Sequence, residues 1–156
     1  MALVSILMPV KNSDPWIKEC LESILEQSYS NWELLAINDH STDHSLSILK
    51  QYALSDLRIK VLNNRGKGIL DALQYAFELS NGDYVTRMDA DDKMPSNKLN
   101  DLLENINGSD NVLSTGLVKY FSKNEVSVGY KMYENWINER NTLGDYDQHI
   151  YREWKR

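Results

Sequence analysis

Val4-Ser5-Ile6-Leu7-Met8-Pro9-Val10, then Lys11-Asn12-Ser13-Asp14-Pro15, then Trp16 to Leu25 is the stretch whose reading decides the fold. The first seven residues are a short apolar run rich in β-formers, ended by turn-forming polar residues. Asp14 followed by Pro15 predicts a helix N-cap and first-turn pair. Beyond it, Ile17, Cys20, Leu21, Ile24 and Leu25 recur at i, i+3, i+4, i+7 and i+8, which draws one apolar stripe along a helix of about three turns.

The same order of strand, polar loop and helix returns along the chain. Trp32 to Ile37 reads as a second strand, and Asn38-Asp39-His40-Ser41-Thr42-Asp43 as the loop before a helix carrying Leu46, Leu49, Tyr52 and Ala53. Ile59 to Leu62 makes a third strand. Asn63-Asn64-Arg65-Gly66-Lys67-Gly68 breaks the chain before Ile69, Ala72, Leu73 and Ala76 at helical spacing. After the Asn81-Gly82 turn, Asp83 to Met88 is a fourth strand with Asp89 to Asp92 at its carboxyl end. Pro95-Ser96 opens a further helix bearing Leu99, Leu102, Leu103 and Ile106, and a strand is expected around Val112 to Tyr120. Parallel strands need a crossover, usually a helix, so this alternation predicts a mostly parallel central sheet with helices on both faces. Ligands of such sheets bind outside the strands' carboxyl ends, which brings Asn12, Asp39 and Asp89 to Asp92 to one crevice.

Composition bounds the rest. The 156 residues are 42% hydrophobic and 26% charged, the profile of a globular domain with a core of its own. Acidic residues outnumber basic ones 23 to 17, for a net charge of -6, which argues against nucleic acid as a partner. The lone cysteine, Cys20, excludes a disulfide framework and a cysteine metal site, and suits a reducing compartment. The apolar start from Ala2 to Val10 lacks a basic n-region and a cleavage site, and no run approaches the roughly 18 apolar residues of a spanning helix.

Asp89, Asp91 and Asp92 are the most informative constellation. Carboxylates this close at a strand end repel one another, and a hard cation with a diphosphate completing its shell would relieve the repulsion. On spacing alone, an acidic turn capping the next helix is the competing reading. Asp39 has the same two readings: an acceptor for a base N–H or ribose hydroxyl, or an Asx-turn residue. Arg65 and Lys67, at a helix start, offer a phosphate contact, although the glycine spacing is neither a Walker loop nor a dinucleotide fingerprint and favours an ordinary strand-to-helix connection. Arg87 is expected in an ion pair with a carboxylate. His40, His44 and His149 show no metal spacing, and neither Ser41 nor Cys20 has a base nearby.

Three motifs in order carry a resemblance: Ser5 to Asn12, Ala36 to Asp43, and Asn81 to Asp92. Over roughly residues 3–120 the chain resembles a family 2 glycosyltransferase of the GT-A fold. The resemblance implies an α/β, Rossmann-like GT-A fold, with a nucleotide-sugar-binding core over 1–120 and an incomplete start of the acceptor-side region over 121–156. It gives Asp39 to the nucleobase, Asp89 to ribose and Asp91 to a Mn²⁺ or Mg²⁺ ion, with Pro9, Asn12 and Arg65 completing the nucleotide-binding set. Departures are Asn38 where the family commonly has an acid, His40 where it has glycine, and Gln74 where an asparagine often stands.

The function so implied is inverting transfer of a sugar from a nucleotide-diphospho-sugar, UDP-linked by preference, to a glycan or lipid-linked acceptor in cell-surface polysaccharide synthesis. The carboxylate base that such enzymes need is unassigned and expected beyond Arg156, since Asp145 and Asp147 look structural. This chain is therefore expected to bind donor and metal with little turnover, in the cytoplasm or peripherally at the inner face of the membrane. Tyr133, Trp136, Ile137, Tyr146, Ile150, Tyr151 and Trp154 recur at roughly helical spacing and would support self-association. Two rivals fit less well. A nucleotidyltransferase would want a glycine-rich loop after strand one, and Val10 to Asp14 has no glycine. A receiver-like signalling domain would want an acid pair where Pro9-Val10-Lys11 stands.

Overall fold

In a computed structural model, which describes residues 1–106, 112–122 and 124–144, four strands and three intervening helices alternate as the spacing predicts. They are β1 (Val4–Val10), α1 (Ile17–Leu25), β2 (Trp32–Asn38), α2 (Ser45–Ser55), β3 (Ile59–Asn63), α3 (Ile69–Leu79) and β4 (Tyr84–Arg87). Two more helices follow, α4 (Lys98–Ile106) and α5 (Val128–Leu143). The chain forms two compact units, residues 1–100 and 101–156.

The sheet of the first unit is fully parallel in the order β3-β2-β1-β4. All of β2 is buried, and so is β1 apart from the half-buried Pro9, as strands covered on both faces must be. On one face Leu7, Leu35 and Ile37 pack with Ala72 and Ala76 of α3, flanked by Leu62, Leu73, Tyr75 and Leu79. The two alanines let α3 lie close to the strands. On the other face, Cys20 Sγ of α1 stands 3.7 Å from Met8 Sδ, beside the buried Ile17, Leu21 and Ile24. A fully buried side chain of this kind contributes about 1.5–3 kcal/mol, so the sheet's two faces carry most of the unit's stability.

A buried polar group fixes the fourth strand. Glu33 Oε1 accepts from Ser5 Oγ at 2.7 Å and from the Asn81 N–H at 2.7 Å, and Oε2 accepts from Lys60 Nζ at 2.7 Å. The Gly82 N–H donates to Ser5 Oγ at 2.9 Å, and a Cβ on residue 82 would stand 2.6 Å from the Ser5 nitrogen, so the turn reaches β1 only as glycine. Burial pushes the Glu33 carboxyl up, but the bonds from Lys60, Asn81 and Ser5 outweigh it and bring the pKa down to about 2. This clamp joins the start of β4 to β1 and thereby delivers Asp89 to the far end of the strand.

Two local expectations differ from the structure. Asp14 and Pro15 lie in a turn before α1, and the Trp16 and Ile17 N–H groups donate to Ser13 O at 2.9 Å each, while the Asp14 carboxylate pairs with His44 Nδ1 at 2.9 Å. The side chain expected to cap the helix is thus spent on the next loop. Residues 112–122 form no strand. Their backbone is bonded by side chains of α5 instead: the Val118 N–H donates to Asn138 Oδ1 and its carbonyl accepts from Asn138 Nδ2, both at 2.8 Å, and the Tyr120 N–H donates to Glu134 Oε2 at 2.6 Å. An apolar β-rich run becomes a strand only beside another strand, and an amide fork on a helix takes that partner's place.

Tyr133 and Trp136 fall on α5 as their spacing predicts, with ring centroids 5.5 Å apart. Asp145, Tyr146, Asp147, His149, Ile150, Tyr151 and Trp154 lie outside the described residues. Among the described residues no helix is long and apolar enough to cross a membrane.

Candidate nucleotide-sugar site

From β1 the chain moves outward to β2 and β3 and then returns to the other side of β1 for β4. The loops after β1 and β4 therefore part from each other, leaving a crevice at the point where the strand order reverses. A cleft of about 370 Å³ opens there, lined by Pro9 to Ser13, Trp16, Asp39, Gly68, Ile69 and Asp89 to Asp91. Of the six positions expected to bind nucleotide or metal, Pro9, Asn12, Asp39, Asp89 and Asp91 line it. Arg65 does not. Its guanidinium lies 4.2 Å from the Tyr75 ring centroid, a cation–π contact against α3.

Asp39 is buried at the end of β2, only 3% exposed. Its Oδ1 accepts from the Gly68 N–H at 3.0 Å and Asn64 Nδ2 at 2.9 Å; its Oδ2 accepts from Lys11 Nζ at 3.2 Å. The Gly68 N–H, Asn64 and Lys11 outweigh the cost of burial and hold the carboxyl at about 2, so it is an acceptor at any working pH. Gly68 sits at φ 96°, a conformation open to glycine, and this aims its N–H at Asp39. Oδ1 is thus saturated by fixed donors, while among the described residues Oδ2 is bonded to the half-exposed Lys11 alone.

The loops after β1 and β2 are laced together. The Asn12 N–H donates to Ser41 Oγ at 3.1 Å and Asn12 Oδ1 accepts from the Thr42 N–H at 2.8 Å; the Ser13 N–H donates to Ser45 Oγ at 2.8 Å, and the Asp14 N–H to Asp43 Oδ2 at 3.0 Å. Burial raises the Asp43 carboxyl, but donors from Ser45 and Asp14 outweigh it and leave it lowered. Asn12 takes φ 51° here, which asparagine tolerates. Its amide oxygen is thereby tied to the second loop. His40 adopts φ 55°, with Nε2 3.0 Å from Gly66 O. That left-handed backbone is the physical reason a glycine suits the position.

At the end of β4, Arg87 grips Asp89 with both prongs, Nε to Oδ1 at 2.8 Å and Nη2 to Oδ2 at 3.0 Å, as the expected ion pair. The Asp92 N–H donates to Asp89 O at 3.1 Å, turning the loop. Asp91 has no hydrogen-bond or ion-pair partner among the described residues. Burial first, then the charges of Asp91 and Asp89, raise the Asp92 carboxyl. Cys20 Sγ stands 3.6 Å from Asp89 O, and burial together with the charges of Asp92, Asp91 and Asp89 pushes its thiol up to about 12, which rules it out as a nucleophile.

Oxygen donors alone line the acid loop, which suits a hard cation. Among the described residues no three acidic, histidine or cysteine side chains converge to hold a metal by themselves. Asp91, with no partner among the described residues, fits such an ion as one ligand of several.

Residues 5–152 match the family model described as glycosyl transferase family 2. The chain belongs to this family. Its family 2 relatives include glycosyltransferase GlyG of Streptococcus pneumoniae, 30% identical over 132 residues that make up 84% of this chain and 43% of GlyG. The putative glycosyltransferase EpsE of Bacillus subtilis is 45% identical over 92 residues, 57% of this chain and 33% of EpsE. Among solved structures, S. aureus TarS in complex with UDP matches with a TM-score of 0.62 and 28% identity, over 69% of this chain and 32% of that one. The mannosyltransferase PcManGT from Pyrobaculum calidifontis, in complex with GDP-Man and Mn²⁺, matches with a TM-score of 0.63 and 25% identity, over 70% and 33%. The fold is thus GT-A, and the chain spans less than half the length of these relatives.

Asp39, Asp89 and Asp91 were legible from the sequence as polar residues at strand ends. Lys11, Asn64, Gly68 and Asp43 were not singled out for the contacts they make. Asn64 and Gly68 reach Asp39 across 25 and 29 positions of chain, and no local pattern marks such a partner. The paired loop lengths after β1 and β2 are the only signal of the lacing.

Proposed function

We propose that this chain is the donor-binding part of an inverting glycosyltransferase that moves a sugar from a nucleotide-diphospho-sugar, UDP-linked by preference, to a glycan or lipid-linked acceptor. The observation that carries the reading is that Asp39 and the Asp89 to Asp91 loop, from two different strands, line one cleft at the sheet's switch point. Asp39 Oδ2 is the acceptor available to a base N–H, and Lys11 moves aside or turns to the ligand when the base arrives. Asp89 accepts from ribose hydroxyls, and Trp16 forms a wall of the cleft. Asp91 would hold a Mn²⁺ or Mg²⁺ ion, whose positive charge would offset that of the departing diphosphate. The solved complexes of TarS with UDP and UDP-GlcNAc, and of PcManGT with GDP-Man and Mn²⁺, support a nucleotide-sugar donor.

The Escherichia coli relative WfgD is named a UDP-Glc:alpha-D-GlcNAc-diphosphoundecaprenol beta-1,3-glucosyltransferase and is 40% identical over 98 residues. It supports a lipid-linked acceptor, from which we infer a role in cell-surface polysaccharide synthesis at the inner face of the membrane. Direct displacement also requires a carboxylate to deprotonate the acceptor hydroxyl. We assign that base to no described residue.

The test is a thermal-shift panel of UDP, GDP and CDP with and without Mn²⁺. Stabilisation is expected with nucleotide and metal together, worth about 2.7 kcal/mol at a hundredfold excess over Kd, and Asp91→Ala is expected to abolish it. Equal stabilisation of the wild type and the Asp91→Ala variant would remove the metal assignment, and none with any nucleotide would remove the donor site.

A further inference from the structure

We propose that Arg87 is a positioning residue that keeps Asp89 from chelating the divalent cation, so that cation binding by this loop waits for the nucleotide. The inference rests on the donor-site reading above and deepens it by giving a cause for the division of labour between the two acids.

Three carboxylates, Asp89, Asp91 and Asp92, stand within four positions, and the first two of them line the cleft. Nothing in their residue type separates an acid that binds a sugar hydroxyl from one that binds a metal. The pairing does. Both Asp89 oxygens are taken by the Arg87 fork, at 2.8 and 3.0 Å, whereas Asp91 carries no hydrogen bond or ion pair among the described residues. A two-pronged guanidinium uses the lone pairs that point forward from both carboxylate oxygens, and a chelated cation would need those same lone pairs. The lone pairs left on Asp89 remain open to hydroxyl donors. The guanidinium charge also opposes a cation at that carboxylate.

Arg87 itself does not line the cleft and its side chain is 52% exposed, so it acts through Asp89 rather than on the donor. An ion pair this exposed adds little to stability. What it sets is the direction and the accessible lone pairs of Asp89. With one acid withheld, Asp91 alone is too few ligands for a tightly held ion, and the diphosphate must complete the shell.

The experiment measures Mn²⁺ binding by the electron paramagnetic resonance signal of the free ion, with the 156-residue chain in the absence and presence of UDP. Wild type is expected to bind Mn²⁺ weakly alone and tightly with UDP. Arg87→Met is expected to bind Mn²⁺ at least tenfold more tightly than wild type without UDP, Arg87→Lys to fall between them, and Arg87→Met combined with Asp89→Asn to return to the wild-type level. A purely structural role for Arg87 could weaken binding but would not strengthen it. Should Arg87→Met fail to fold, Arg87→Lys carries the test, with a gain of at least threefold expected. Nucleotide-dependent binding in wild type with no gain in either Arg87 variant would overturn the proposal while leaving the donor site standing. Absence of Mn²⁺ binding by wild type even with UDP would remove the donor-site reading and this inference together.

Discussion

Replacing Asp39 by asparagine changes one atom and reverses one hydrogen-bonding role. The retained oxygen can still accept from the Gly68 N–H and Asn64 Nδ2, now at 3.0 and 2.9 Å from the carboxylate's Oδ1, so the loop should keep its shape. The atom replacing Oδ2 becomes an NH₂ donor that faces the Lys11 ammonium and any incoming base N–H, and donor meets donor. The loss for ligand is one hydrogen bond to a charged acceptor, about 1.5–3 kcal/mol, which at about 1.4 kcal/mol per decade weakens binding roughly ten- to a hundredfold. The fold loses less. The Lys11 pair is half exposed on the lysine side and worth about 1 kcal/mol at most, and the two retained bonds weaken from charged to neutral. A melting-temperature drop of only a few degrees is expected, by the scaling of about 2–4 °C per kcal/mol for a domain of this size. Isothermal titration of UDP with saturating Mn²⁺ reads the first quantity and thermal denaturation the second. A Kd within threefold of wild type in a normally folded variant would refute the assignment of Oδ2 to the base.

Three further outcomes are expected. Glu33 and Asp39 both have carboxyls held at about 2, well below the ordinary carboxylate range, so each stabilises the fold fully above about pH 4.5 and loses that contribution as pH falls towards 2. Melting temperature should therefore drop across that window, and less steeply in Glu33→Gln, a variant already short of the Lys60 ion pair; parallel curves would contradict the clamp. Gly82→Ala places a methyl 2.6 Å from the Ser5 nitrogen and should cost about 1–3 kcal/mol by forcing β4 from β1, read by urea denaturation. The Cys20 thiol, held up to about 12 and fully buried, should resist dithionitrobenzoate at pH 8 in the native state and react once urea unfolds the chain; rapid native labelling would mean the acid loop opens readily.

The order of elements was legible because it rests on local properties. β1 runs over Val4–Val10 as its apolar run predicts, and α1, α2 and α3 start within a few residues of their apolar stripes because helical period and breakers such as Gly68 act over neighbouring positions. The strand expected near residues 112–120 failed on a non-local matter: among the described residues no strand lies beside it, and Asn138 and Glu134 bond its backbone instead. The Asp14 cap failed in the same way, through a competing partner, His44, thirty positions along.

For the site, the amino-acid sequence alone determined that acids would stand at the carboxyl ends of β2 and β4, since strand, turn and acid are contiguous in the chain. Only the tertiary structure decided which atoms remain available. It saturated Asp39 Oδ1 and left Oδ2 to a half-exposed lysine, tied the Asn12 amide oxygen to the second loop, turned Arg65 onto Tyr75, and gave Arg87 to Asp89 while leaving Asp91 without a partner among the described residues. The reason is physical: periodicity is written in neighbouring residues, whereas a hydrogen-bond partner is chosen by the register of the strands and the close approach at Gly82, which bring distant residues within 3 Å of one another.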